Sequence, residues 1–87
     1  MQFRIEMSAT PEPAARVQLP GRSLELSAQR LGNREWQVRL AGGEGEAGVV
    51  GLQAADASEA IWRVARALVR AVAELRGESV EFPDPAI

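Results

Sequence analysis

One segment limits the folds open to this chain more than any other. Residues Asp56 to Gly77 read as a single amphipathic helix, while the patterned sequence before it has the period of strands. Projection at about 100° per residue gathers Ile61, Val64, Ala65, Leu68, Val72 and Leu75 on one stripe. Both ends are marked: Asp56 can accept from the amide three residues on, Glu59 can reach back toward the cap, and Gly77 suits the left-handed position just past a helix. A lone helix, expected over about 57–76, must bury its stripe against something, and the strands are the only candidate.

The strand signal is alternation. Phe3, Ile5 and Met7 take one face of residues 2–8, with Arg4, Glu6 and Ser8 on the other. Pro11, Pro13 and Pro20 lack backbone donors, so 9–22 is expected to be an irregular, flexible connection. Alternation returns in 23–30 (Leu24, Leu26, Ala28) and 34–41 (Trp36, Val38, Leu40), which form a hairpin. A two-residue Gly32-Asn33 loop would set Leu26 against Arg39. A three-residue loop, Leu31 to Asn33 with Asn33 left-handed, sets Leu24 against Leu40, Leu26 against Val38, Ala28 against Trp36 and Glu25 against Arg39, and is the expected register. The glycine-rich 41–48 is expected to be a flexible loop before a strand at 48–53.

The expected fold is therefore α+β in one domain, 1–87. It has an antiparallel meander of three to four strands with one long helix on one face, a candidate short last strand at 79–82, and a tail at 83–87. A chain of 87 residues buries only about 60 to 65% of its unfolded surface, so a partner or a second copy would add to its stability.

Gly43 to Gly48 spells G-x-G-x-x-G, but a dinucleotide site needs that motif to run from a strand into a helix. Here another strand follows, and Glu44 and Glu46 would repel phosphate. Net charge is −2, with ten Arg and no Lys, which offers no field for a nucleic-acid backbone; direct nucleic-acid binding is not expected. Arg63, Arg66 and Arg70 interrupt the longest apolar run, so no segment can cross a bilayer of about 30 Å. The absence of Cys and of a signal pattern in Met1 to Ser8 leads to a cytoplasmic expectation.

The chain has no His, Cys, Lys or Tyr. That removes the commonest general bases, covalent nucleophiles and tunable acids, together with the imidazole and thiolate that zinc and copper require. No catalytic residue, metal or cofactor is expected, and the surviving enzymatic option is a carboxylate-only hydrolase. Seven residues stand out as contacts for another macromolecule. Trp62 lies at the edge of the apolar stripe, Val69 beside it. Arg63, Arg66 and Arg70 lie on the opposite face, where Glu59 and Glu74 are spaced to pair with Arg63 and Arg70. Glu44 and Glu46 sit in the acidic glycine loop.

Over residues 35–86 the chain resembles the HicB-like antitoxin fold. The resemblance rests on the strand with Trp36, Gly48-Val49-Val50-Gly51, the Asp-led Ser58-Glu59-Ala60 helix start, the Arg-studded helix, and Val80-Glu81-Phe82-Pro83-Asp84-Pro85. It implies a short antiparallel sheet on one helix, and a non-catalytic domain that masks a toxin ribonuclease. The N-terminal strand and the proline-rich connection depart from that pattern, and no DNA-binding segment follows, so no operator-binding role is implied. The expected function is that of a small inhibitor or antitoxin-type protein neutralising a nucleic-acid-processing partner. Glu44, Glu46, Glu78, Glu81 and Asp84 are candidate phosphate mimics. The alternatives are a phage-encoded inhibitor of a bacterial defence complex, of the anti-CRISPR kind, and a structural or self-assembling subunit. The expected partner is thus another protein, whether a toxin, a nuclease or a defence-complex subunit, with a homodimer as a further candidate.

Overall fold

The structure is a computed structural model that describes residues 1–9, 12–42 and 45–82, for Glu46 the backbone alone. Strands β1 (Arg4–Ser8), β2 (Ala14–Leu19), β3 (Arg22–Gly32), β4 (Glu35–Gly42) and β5 (Gly45–Gln53) precede helix α1 (Ala57–Leu75). They form one antiparallel sheet in the order β1-β2-β3-β4-β5, a meander, and α1 lies on one face of it.

The α+β architecture is as expected, but the sheet has five strands rather than three to four. The additional strand, β2, falls inside 9–22. Its prolines punctuate rather than interrupt: Pro13 precedes β2 and Pro20 follows it, leaving every ladder position to a residue with an N–H. Ala15 and Val17 point into the core while Arg16 and Gln18 face solvent. Pro20 and Gly21 then make a tight turn, Gly21 at φ 74° supplying the left-handed conformation, and Leu19 pairs with Arg22. The loop expected at 41–48 also shrinks, because Gly42 pairs with Gly45 and Ala41 with Glu46. No strand forms at 79–82; Val80 and Phe82 are held by packing against the core instead.

The β3–β4 register differs from the expected one by two residues. Leu26 faces Leu40, Ala28 faces Val38 and Arg30 faces Trp36, and Asn33-Arg34 forms the turn between paired Gly32 and Glu35. Leu31 is the extra residue of a bulge, and Arg34, not Asn33, is left-handed at φ 68°. A two-residue shift keeps every side chain on its face, so hydrophobic alternation could not tell the two pairings apart. The expected Glu25–Arg39 pair is not cross-strand: Ser27 faces Arg39, and Glu25 instead pairs with Arg16 on β2 at 3.0 Å.

Val17, Leu24, Leu26, Val38 and Leu40 from the sheet meet Ala60, Ile61, Val64, Ala65, Val69 and Ala73 from the helix. The buried stripe is rotated from the projected one. Val69 and Ala73 are inside, Leu68 and Val72 are half-buried, and Leu75 is 88% exposed. The helix N-terminus is closed as the sequence implies. Asp56 Oδ1 accepts from the Glu59 amide at 2.8 Å, and Glu59 Oε2 accepts from the Ala55 amide at 2.8 Å. Asp56→Ala should lower stability by about 1 kcal/mol in denaturant unfolding, with an unchanged fold by circular dichroism. At the other end Gly77, at φ 71°, donates to Glu74 O and Glu78 donates to Ala73 O, the paired bonds of a Schellman turn.

Candidate interaction surfaces

The Schellman turn sends the chain back, as far as Phe82, along one flank of α1. There Phe82 packs on Phe3, with ring centroids 5.4 Å apart, and edge-on to Trp62 at 6.2 Å. Glu78 closes the same flank, binding the Met1 ammonium at 3.0 Å and Arg76 Nε at 3.1 Å. These hydrogen bonds, the one from Met1 foremost, hold the Glu78 carboxyl below its ordinary range.

That flank absorbs three of the expected contact residues, Trp62, Arg66 and Arg70. The Arg66 guanidinium stands 5.9 Å over Trp62 and that of Arg70 stands 5.5 Å over Phe82. Arg63 is bound elsewhere: it pairs with Glu59 at 2.7 Å and donates to Gln53 O at 3.1 Å, tying the first turn of α1 to the end of β5. Arg63, Arg66 and Arg70 therefore form no common site. Two of them stack on aromatic rings and the third fastens the helix start. Trp62 is half-buried beside Phe82, and Val69, expected near the edge of the stripe, is fully buried. Trp62 Nε1 and Arg66 Nε are both enclosed without a hydrogen-bond partner. Glu46 is placed in β5 opposite Ala41, whereas Glu44 lies outside the described residues, as do Asp84 and the tail 83–87.

Among the described residues nothing covers the other flank, over β5. A groove of about 360 Å³ runs between α1 and β5, lined by Leu40, Val50, Leu52, Val64, Ala67 and Leu68, with Arg63 at its end. Val50 is 40% exposed, Ala67 and Ala71 are on the surface, and Leu75 extends the apolar strip beyond the groove. The sequence signal for this site was present in Leu75 and Leu68, but a projection that assigns the whole stripe to the core hides it.

β5 is also an edge strand, as is β1 at the far side of the sheet, and the two edges differ. β1 is short and bears Arg4 and Glu6, the kind of charges that discourage strand addition; β5 runs nine residues with neither Pro nor a basic side chain. The uncovered sheet face is polar, with Arg4 against Glu6 and Arg16 against Glu25 in ion pairs. A shallow depression of about 520 Å³ crosses it near Ala14, Ser27 and Ala41. Among the described residues no three His, Cys, Asp or Glu side chains are grouped as a metal site would need, and no helix is long and apolar enough to cross a membrane. No family model matches the chain, and neither a curated protein nor a solved structure is significantly similar to it.

Proposed function

We propose that this chain is a non-catalytic protein-binding module of the inhibitor or antitoxin type, which neutralises a nucleic-acid-processing partner by direct contact. The observation that carries the reading is the unsealed apolar flank between α1 and β5. Exposing Val50 and Leu75 costs solvation free energy; burying Leu75 in a complex returns about 1.5 to 3 kcal/mol, and burying the 40% exposed Val50 less than half of that. The lack of His, Cys, Lys and Tyr supports a role in binding rather than chemistry, and the resemblance to HicB-like antitoxins supports a ribonuclease toxin as the partner class. The acidic-mimic version has less support: Glu78 is occupied by Met1 and Arg76, and the ion pairs of the open sheet face balance its charge. Apolar docking is therefore the mode.

Ala67→Glu tests the reading, because Ala67 is exposed at the groove and tolerates the longer side chain without touching the core. Captured from native lysate, the wild-type chain should bring down a nuclease whose activity it abolishes at equimolar ratio. Ala67→Glu should retain its melting temperature while losing at least about tenfold in affinity. Recovery of no nuclease, or of one bound equally by both forms, contradicts the proposal.

A further inference from the structure

Two glycines in β5 have no explanation among the described residues of the monomer. A Cβ placed on Gly48 or Gly51 would meet nothing within 4 Å, and neither residue has positive φ. Glycine in a strand interior costs stability relative to a β-branched residue, and it persists where another backbone or side chain comes close. Both lie on the edge strand that lacks Pro and basic side chains.

The direction of the free backbone groups follows from the ladder. The Ala54 amide donates to Arg34 O, continuing the register that pairs Gln53 with Glu35 and Leu52 with Trp36. Hydrogen-bonded pairs alternate along an antiparallel ladder, so Val50 and Leu52 spend their amides and carbonyls on β4, while those of Val49 and Gly51 point outward. An incoming strand therefore meets an open row centred on Val50.

We infer that β5 pairs antiparallel with β5 of a second copy about a two-fold axis at Val50. A two-fold axis normal to the sheet keeps core faces together and allows only even-numbered pair sums. In the register centred on Val50, Val50 meets its own copy, Leu52 meets Gly48 of the second chain, Val49 meets Gly51, and Gln53 meets Ala47. Each large apolar residue thus lies against a glycine or against itself, and the two unexplained glycines are the positions that receive Leu52 and Val49. The adjacent register, centred on Val49, instead sets Leu52 against Glu46, an apolar side chain against the strand's one charged residue. The pairing would continue the meander into a ten-stranded sheet, with the two apolar grooves side by side. Strand addition alone is a small interface, so dissociation is expected on the order of tens of micromolar. The inference does not rest on the proposed function, since it concerns the isolated chain.

The absence of native cysteine makes the register directly testable. Paired residues that exchange no hydrogen bonds have Cα atoms about 4.5 Å apart, within disulfide reach, whereas diagonal neighbours two positions on lie about 7 to 8 Å apart. Under mild oxidation Val50→Cys should give a covalent dimer at least about tenfold faster than Val49→Cys. By sedimentation velocity up to about 500 µM, the wild-type mass should rise toward that of two chains. Gly48→Val should keep or raise the melting temperature yet weaken association by about tenfold or more, because its new methyls occupy the space of the second chain's Leu52. A wild-type chain monomeric throughout that range, equal cross-linking at 49 and 50, or undiminished association of Gly48→Val overturns the inference. A strand from a different protein as the natural occupant would produce the first of these results.

Discussion

Val69→Asp unfolds the protein at 25 °C, while Leu75→Asp, six residues along the same helix, changes stability by no more than about 0.5 kcal/mol. Val69 has no exposed surface and packs within the core cluster, so an aspartate there is an unpaired buried charge. The cost of several kcal/mol equals most of the roughly 5 to 10 kcal/mol expected of a domain this size. Leu75 is 88% exposed in the last turn and loses almost no buried area. Denaturant melts of the two variants and the wild type read the contrast directly. Near-equal stability of the two would place the helix in the orientation projected from sequence, with Leu75 inward.

Arg16→Pro is the second large effect, a loss of about 3 kcal/mol or more in the same measurement. Its side chain faces solvent, pairing with Glu25, so packing contributes little to the loss. The backbone is the issue. β2 has neighbours on both sides, Glu6 of β1 and Glu25 of β3 being the residues opposite Arg16, so proline's ring and missing N–H are placed in an interior strand. Tolerance of proline at 16 is what an irregular 9–22 connection would give, so the variant separates the two descriptions of this stretch.

These two variants sit where reading the chain and seeing it folded diverge, and the reasons are physical. Local chemistry was legible: Asp56, Glu59 and Gly77 close the helix as their residue types require, because capping depends on neighbours a few positions away. Facing was legible too, since Leu24, Leu26, Val38 and Leu40 are all buried. Register was not, because a shift of two residues preserves faces, and the Leu31 bulge has no compositional mark. β2 was masked by prolines that bound it. The phase of the helix was set by what lies on each side of it. Phe82 and Glu78 seal one flank and no described residue covers the other, a consequence of tertiary packing that periodicity alone does not contain. For the same reason Arg63, Arg66 and Arg70, neighbours on a helical wheel, are distributed in the fold between a cap, an indole and a phenyl ring.

The arrangement gives the molecule distinct regions. Strands β2, β3 and β4 and the buried side of α1 hold the core, the returning segment closes the β1 side, and among the described residues the β5 side keeps both an apolar groove and a free strand edge. We propose that the partner binds through that side. The most direct measurement is methyl chemical-shift mapping of the chain titrated with its captured partner. The account predicts that the methyls of Val50, Leu52, Leu68 and Leu75 shift, while those of Ile5 and Leu19 stay in place. Shifts confined to Ile5, Leu19 and the Trp62–Phe82 flank would contradict it.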